Sequence, residues 1–548
     1  LSGLVGSEMC IRDRVEVTSS TRTTAIATSS PNGGAADDVK VTEDGVITLS
    51  AAGAIITLDS DNTVTMNGGL ASVDVDDSVG VLVLGGHAGT LTSAGSISLT
   101  EDYDYEDADE DGDYDGLFAK GSRRYGIRLT GTDAFTGTLT NSGSITIEGM
   151  DSAGISLEAP LAGDLTHSGT ISVTGDRGYG VRIAAPVTGK VTLEGSTTVL
   201  GEGSVGVAVD APIEGAFVLQ GSVYSTGYRV TSRYSDPDDR ALLDADDMLE
   251  GGGGVNIAAD VSGGVLLDAP PTDTNDDTSD DEDGDGVTDS AEGTASITVY
   301  GGAPALKIGS NTGEVRIGAV GDGDDAYGLI IKGTVAAASV YDGVETTGVQ
   351  IGGDVGYLAQ IAGGVRITGS VSASSYEAAA TGLRLKSGAV ADTIWNAGSI
   401  TGYSVSEGDY SARGLVIEAG AVANVLNNDG VITATVAGEK GSAYAILDNA
   451  GTLTTINNTR TIAAYVTATD DDYDTDDDDT DATNEVVTGK AIAIDVSKNT
   501  TGVTITQTGV NDGDDGDDGV ADTDTDGDGV DDADEPVIVG KILFGSGD

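Results

Sequence analysis

The sequence predicts an all-β fold, a right-handed parallel β-helix (β-solenoid) built from coils of about 26–30 residues. Three observations support this prediction. A short phrase with one glycine and alternating apolar residues recurs along the chain. The 548 residues include 83 glycines, and only 4% are aromatic. The apolar residues are mainly Val, Ile, Ala and Leu, a composition that favours strands and tight turns over helices.

The first recurring phrase joins a small or aromatic residue, a glycine and alternating apolar positions. Its clearest copies occupy residues 125–129, 153–157, 179–183 and 205–209. The glycines of these copies are spaced by 28, 26 and 26 residues and are Gly126, Gly154, Gly180 and Gly206. Because a glycine allows positive φ or close backbone approach at a corner, we expect these glycines to stack above one another. We assign four later glycines to the same phrase: Gly328, Gly348, Gly382 and Gly414.

The second phrase follows the first and predicts two short strands separated by a turn of Asn, Ser, Ala or Gly. It is clearest in residues 137–147, and its relatives occupy residues 91–99, 165–173, 395–400 and 427–432. One unit therefore holds about three strands, and stacked units pair strand on strand in parallel. About 15 coils at about 4.8 Å each give a rod of roughly 70–80 Å. Tandem immunoglobulin-like sandwiches would instead show a period near 90–100 residues.

The repeat style also predicts how the chain is organised. Residues 1–14 lack the Gly/Thr/Val style of the rest and resemble translated sequencing-adapter read-through, so we interpret them, with the single Cys10, as non-native. Residues 15–45 form an N-terminal segment or the start of the first coils, and residues 46–548 form the β-solenoid. Both ends look cut, so we expect an export signal to be missing from this sequence.

Five acidic segments interrupt the repeat. They are residues 101–115, 236–250, 273–292, 470–485 and 512–535, and they hold about half of the Asp and Glu residues. We expect them to be loops at the corners of the rod, where insertions do not break the stack. The net charge of −65 excludes nucleic acid as a partner and disfavours anionic lipid surfaces. No apolar run is long enough for a membrane-spanning helix.

Two of the acidic segments contain a complete calcium-loop pattern, D-x-D-x-D-G-x5-E. In such a loop, carboxylates at positions 1, 3 and 5, the carbonyl at 7, and the side chains at 9 and 12 surround one ion. The predicted metal ligands are Asp281, Asp283, Asp285, Val287, Asp289 and Glu292 in the first loop. They are Asp524, Asp526, Asp528, Val530, Asp532 and Glu535 in the second. Asp107, Asp109 and Asp111 form a weaker candidate, since Phe118 stands where the Glu is needed.

These two stretches resemble the calcium loops of thrombospondin type 3 repeats and of dockerins. The resemblance covers only the twelve-residue loops, and the paired helices of an EF-hand are lacking. It implies structural calcium as the cofactor. Each bound ion removes two charges and orders a loop among carboxylates that otherwise repel one another.

The chain as a whole resembles the passenger region of a bacterial autotransporter. The phrases in residues 137–147, 163–173, 395–400 and 427–432 carry this resemblance, since they are of the T-x-x-N/S-x-G-S/T-I type. The resemblance implies export to the bacterial cell surface or the extracellular space. It also implies a downstream outer-membrane β-barrel, which is not part of this sequence.

The sequence offers few groups for catalysis. We expect His87 and His167, the two histidines, to be turn residues, and no serine-hydrolase, zincin or phosphate-loop motif is present. Arg128 and Arg182 occupy equivalent outward positions two coils apart, and we interpret them as solvated partners of carboxylates. A polysaccharide lyase or glycoside hydrolase of the β-helix type stays an alternative, since such enzymes need carboxylates or a base on the rod face.

Taken together, the sequence predicts a surface-exposed or secreted structural or adhesive β-solenoid that is not catalytic. Its columns of Thr, Ser and Asn could engage glycans, other cells or matrix, and calcium in the acidic loops could bridge to anionic neighbours. A surface-layer or biofilm-matrix component is the other non-catalytic alternative. A groove lined by outward aromatic residues and carboxylates would favour the enzyme.

Overall fold

Three long parallel β-sheets run side by side along the chain, and each coil contributes one strand to each sheet. The computed structural model describes residues 15–18, 21–107, 114–271, 281, 288–321, 323, 326–468, 487–509 and 535–547. Within them, fifteen strands lie on the main path of every sheet, so the predicted parallel β-solenoid of about 15 coils is confirmed.

We name the sheets by the order in which each coil visits them. The strands of sheet 1 are Val15–Val17, Val39–Val41, Thr63–Met66, Ala88–Ser93, Phe135–Asn141, Leu165–His167, Val191–Leu193, Phe217–Leu219, Val265–Leu267, Leu329–Ile331, Val365–Ile367, Thr393–Asn396, Val425–Asn428, Thr455–Asn458 and Thr504–Gln507. The strands of sheet 2 are Thr21–Arg22, Val46–Thr48, Gly69–Val73, Ser96–Thr100, Ser144–Glu148, Thr170–Thr174, Ser196–Leu200, Ser222–Thr226, Ser296–Tyr300, Thr334–Asp342, Ser370–Tyr376, Ser399–Val405, Val431–Ala437, Thr461–Thr467 and Val537–Val539.

Sheet 3 completes each coil, and a few short elements lie outside the three main paths. The strands of sheet 3 are Ile26–Ala27, Gly53–Leu58, Ser78–Leu84, Tyr125–Thr130, Ala153–Leu157, Tyr179–Ile183, Val205–Val209, Gly253–Ile257, Leu306–Ile308, Thr346–Ile351, Ala380–Leu385, Ser411–Ile417, Ser442–Asp448, Lys490–Asp495 and Lys541–Leu543. The additional strands are Leu161–Ala162, Val315–Ile317, Ala359–Ile361 and Ala389–Val390, and the helical turns are Pro237–Arg240 and Asp289–Ala291.

The coils stack in register, with equivalent residues directly above one another. In sheet 1, Leu139 pairs with Leu165, Leu165 with Val191, and Val191 with Phe217, a constant step of 26 residues. All four side chains are buried. In sheets 1 and 2, alternate residues of most strands point inward, so the apolar positions form continuous columns and the positions between them face outward.

Gly126, Gly154, Gly180 and Gly206 stack above one another, as predicted. Each is the second residue of a sheet 3 strand, so the expectation that they lie at a corner is wrong. A Cβ atom on Gly154 would lie 2.7 Å from the carbonyl oxygen of Gly180 and 2.5 Å from a methyl group of Ile171. The assignment of Gly328 to this phrase is wrong, because Leu329–Ile331 belongs to sheet 1. Ala305 takes the glycine position in that coil, directly before the sheet 3 strand Leu306–Ile308.

Buried amides join successive coils where the strands of sheet 1 end. Asn396 donates a hydrogen bond to Asn428 over 2.7 Å, and Asn428 donates one to Asn458 over 2.8 Å. Asn428 and Asn458 also donate to main-chain carbonyls of the following turn. These residues lie in the interior, and the hydrogen bonds pair most of their polar atoms, which would otherwise be costly to bury. Among the described residues, Oδ1 of Asn396 is left without a partner.

The stacked glycines generate a stability prediction. Gly154→Ala should destabilise the protein by roughly 1–3 kcal/mol, because the new methyl group overlaps the backbone of the next coil and a packed Ile. The urea midpoint measures the effect. Gly34→Ala is the matched control, since a Cβ there meets no atom within 4 Å. An unchanged midpoint for Gly154→Ala would contradict the close stacking of the coils.

Candidate functional site

The acidic insertions leave the rod at two of its three corners. Those that begin after Thr100, Thr226 and Thr467 connect sheet 2 to sheet 3. Those after Leu267 and Gln507 connect sheet 1 to sheet 2. The stack continues across them, since the sheet 2 strands on either side of residues 227–295 pair in register. The inserted residues therefore lengthen the connections between strands and leave the sheets continuous.

Along the chain, both complete calcium-loop patterns belong to connections from a sheet 1 strand to a sheet 2 strand. Asp289–Ala291 forms a helical turn, and the N–H of Glu292 donates to the carbonyl of Asp289 over 3.2 Å. Glu292 also accepts a hydrogen bond from buried Gln220 in the preceding coil, over 3.0 Å. The loop end that carries pattern positions 9 and 12 is thus fixed to the rod. In the second loop, Glu535 stands two residues before the strand Val537–Val539.

Most of the predicted metal ligands lie outside the residues that the structure describes. These are Asp283, Asp285, Val287, Asp524, Asp526, Asp528, Val530 and Asp532, and in the weaker site Asp109 and Asp111. Asp281, Asp289, Glu292, Glu535 and Asp107 are described. The convergence of each set on one ion stays a prediction.

The first two acidic insertions pack against each other, an arrangement that the sequence analysis did not anticipate. The guanidinium group of Arg229, from the second insertion, lies 4.4 Å from the ring centre of Phe118 and 5.4 Å from that of Tyr105. Arg229 also donates to the carbonyl of Gly116 over 2.6 Å. Tyr105 in turn contacts the ring of Tyr114, with the centroids 5.6 Å apart. Cation–π and aromatic contacts therefore hold an acidic surface together.

Three carboxylates meet where these insertions join. Oxygen atoms of Asp115, Asp244 and Asp246 lie within 4.8 Å of one another. The N–H of Gly116 donates to Asp246 over 2.6 Å and lowers the pKa of Asp246. A hydrogen bond between the two carboxyl groups raises the pKa of Asp244. The cluster offers oxygen ligands of the type that calcium prefers, but two of its three residues come from a segment without the loop pattern.

A buried ion pair anchors the first insertion to the rod. Arg124, only 2% exposed, lies 3.3 Å from the carboxylate of Glu101. Glu101 also accepts hydrogen bonds of 2.6 Å from the main-chain N–H groups of Lys120 and Gly121. The two ends of the insertion are therefore joined at its base by one carboxylate. This charge is buried and paired, so it fixes the geometry of the corner.

A groove of about 320 Å³ lies on the outer face of sheet 3. Its walls include the half-buried rings of Tyr125 and Tyr179, which stand in the same column two coils apart. Ala153 stands between them in register and, at 1% exposed, forms the floor together with Ser156. A small residue between two large ones at the same register position thus creates the groove.

Arginine and carboxylate pairs surround this groove. Arg177 donates two hydrogen bonds to Asp151, over 2.8 and 2.9 Å, and this contact lowers the pKa of Asp151. Arg182 lies 4.8 Å from the ring centre of Tyr179 and donates from Nε to Asp210 over 3.2 Å. Arg128 lies 4.2 Å from the ring centre of Tyr125 and forms two hydrogen bonds with Glu158, over 3.0 and 2.7 Å.

These contacts match the interpretation of Arg128 and Arg182 as outward partners of carboxylates. Both pair with Ser156 in register, which places them two coils apart. The groove itself was missed, although its signal is present in the sequence. The aligned phrases in residues 125–129, 153–157 and 179–183 alternate Tyr, Ala, Tyr at their first position and Arg, Ser, Arg at their fourth.

The two histidines have different environments. His87 follows the turn at residues 85–86, and its Nδ1 lies 3.5 Å from Asp61. The prediction that His167 is a turn residue is wrong. His167 ends the strand Leu165–His167, has no exposed surface, and stands directly above Asn141, whose amide nitrogen lies 3.1 Å from its Nδ1. The sequence aligned it with Asn141 correctly, but this position faces the interior.

The chain matches no protein-family model, no curated protein and no solved structure. Among the described residues, no helix has the length and apolar character needed to cross a bilayer. The geometry of the rod and its corner loops is therefore the basis for a functional conclusion.

Buried His167 generates a prediction about pH. Burial lowers its pKa from 6.5 to about 4, so the unfolded chain takes up a proton at higher pH than the folded protein. The folded state should therefore lose about 3 kcal/mol as the pH falls from about 6.5 to about 4. Acid also protonates many carboxylates, so the comparison with His167→Asn isolates this contribution.

The measurement is the urea midpoint of both proteins at about pH 7 and about pH 4. His167→Asn places an amide above Asn141, as in the Asn396–Asn428 pair, and removes the titrating group. The variant should lose less stability than the parent protein between the two pH values. Equal losses would show that His167 does not titrate in this range.

Proposed function

We propose that this chain is a surface-exposed or secreted bacterial β-solenoid that serves as a structural or adhesive rod and carries calcium in its acidic loops. The single observation that carries the proposal is the continuous stack of fifteen coils, in which large insertions are confined to corners. Such a stack holds side chains at fixed intervals over a long distance and presents them to the outside. A passenger-like location on the bacterial surface fits this design.

The outward faces of the rod are rich in hydroxyl groups that follow the coil spacing. Ser196 and Ser222 are linked by a hydrogen bond of 3.0 Å between their side chains, and so are Ser370 and Ser399. Hydroxyl groups both donate and accept hydrogen bonds, so such columns suit contacts with polar surfaces such as glycans, other cells or matrix. A face of this kind supports an adhesive or scaffolding role.

Calcium accounts for the charge of the corner loops. The net charge of −65 makes the compact state repel itself, and each bound calcium ion offsets two negative charges. Both complete loop patterns end shortly before a sheet 2 strand, with Glu292 held by Gln220 in the first. The fixed position of the loop end that carries Glu292 favours a calcium site in this loop. Calcium at about 1 mM, typical of extracellular modules, would occupy such loops.

The calcium proposal predicts a stoichiometry that variants should change. Asp285→Asn with Glu292→Gln, and separately Asp528→Asn with Glu535→Gln, should each remove one bound calcium ion, because each pair supplies two ligands of one loop. Equilibrium dialysis of the full chain measures bound calcium, and limited proteolysis with and without chelator reports loop order. Asp273→Asn with Asp276→Asn is the matched control, since it removes the same charge from the same insertion outside the pattern.

Two results would contradict this proposal. One is a parent protein whose loops resist protease equally with and without chelator. The other is a control pair that loses as much calcium as the loop pairs, because binding would then follow overall charge and not the loop pattern.

The adhesive role predicts that the folded rod attaches to surfaces. Beads coupled to the full chain in calcium should be retained on layers of bacterial cells or polysaccharide more strongly than beads coupled to heat-unfolded chain. Retention under flow measures this difference. Equal retention of both beads would contradict adhesion, and release of cleaved or unsaturated sugar products from the polysaccharide would contradict a non-catalytic rod.

A further inference from the structure

We propose that the groove over Ala153 is a binding site for one pyranose ring of a neutral saccharide. This inference rests on the proposed adhesive function, for which it supplies a site and a ligand class. It is independent of the calcium loops, since the residues that form the groove belong to sheet 3 and the turns beside it.

The walls of the groove fit the apolar faces of a sugar ring. Tyr125 and Tyr179 are separated by two inter-strand spacings, about 9.6 Å. A saturated ring in van der Waals contact with a wall on each side needs about 7–8 Å, so one such ring fits between these two positions. The column beyond the tyrosines continues with Val79 and Val205, so no further aromatic wall extends the groove. The site therefore takes one ring.

The polar groups of the groove suit hydroxyl groups. Arg177 and Arg182 supply N–H donors, while Asp151 supplies acceptor oxygens. Among the described residues, Arg182 donates one hydrogen bond, from Nε, which leaves N–H groups on its terminal nitrogens for a ligand. Neighbouring sugar hydroxyls need donors and acceptors side by side, and this lining offers both.

The charges favour a neutral ligand. Arg177 and Arg182 are balanced by Asp151 and Asp210, so the groove adds no net charge. The chain as a whole carries −65 and repels anionic sugars, while cationic ligands are drawn to the acidic insertions. An uncharged sugar is neither repelled by the net charge of the chain nor attracted to the acidic insertions.

The same geometry argues for binding without cleavage. Glycoside hydrolysis needs a carboxylic acid whose pKa is raised, so that it can protonate the leaving oxygen. The contact with Arg177 lowers the pKa of Asp151 instead, so this carboxylate stays ionised and accepts hydrogen bonds. The groove thus combines aromatic residues and a carboxylate without the pKa that catalysis requires.

The test uses the full chain and saturation-transfer NMR with neutral gluco-, galacto- and manno-oligosaccharides, with oligogalacturonate as the acidic probe. At least one neutral series should bind. Ala153→Tyr should weaken this binding by at least about tenfold, because the new ring fills the groove. Tyrosine already occupies this register in both flanking coils, so the variant is compatible with the fold. Tyr179→Ala should also weaken binding, since it removes one wall.

Matched controls come from a distant part of the same sheet. Tyr444→Ala removes a half-buried ring, and Arg384→Ala removes an arginine paired with Glu418. Both should leave the affinity within about twofold, a difference below 0.5 kcal/mol by the same conversion. Circular dichroism confirms that all variants keep their strands.

Several outcomes would overturn the groove site. They are the absence of binding by every neutral series, undiminished binding to Ala153→Tyr, or equal binding of oligogalacturonate. Retention of coated beads separates this failure from failure of the adhesive role. If the sugar-binding test fails while parent beads adhere, the groove is rejected and adhesion is kept. Parent beads that fail to adhere while the chain binds sugar would reject adhesion and keep the groove.

Discussion

Every coil of this protein depends on its neighbours for hydrogen bonds and for a cover over its apolar residues. The strands of one coil are too short and too few to form a core alone, and their main-chain groups pair only with the coils on either side. Register is therefore the controlling constraint. Residues such as Gly154 and Ile171 must fit the next coil as well as their own. A residue that does not fit in one coil therefore also disturbs the adjoining coil.

The need for register limits which residue types each position of a coil can hold. Inward positions hold apolar residues or amides that bond along the stack, as Asn396 and Asn428 do. Corners can hold long insertions, because the sheets resume in register beyond them. Outward positions between these limits differ from coil to coil, and a single small residue such as Ala153 between two tyrosines changes the shape of the surface. Functional variety therefore belongs to corners and outward columns.

The repeat period, the three strands of each coil and the stacked glycines could be predicted from the sequence, since each is a local pattern repeated at a fixed spacing. The orientation of individual residues was harder to predict. His167 aligned with Asn141, but only the stack shows that this position faces the core. The assignment of Gly328 failed because a glycine before apolar residues also occurs in sheet 1.

The contact between the two acidic insertions could not be predicted, because Arg229 and Phe118 are far apart in sequence and lie outside the repeat.

The uniform step of 26 residues from Leu139 to Phe217 has an evolutionary consequence. Duplication or loss of one such step would lengthen or shorten the molecule by about 4.8 Å and preserve the pairing on both sides. Recombination within the gene would thus change the length of the rod in small increments.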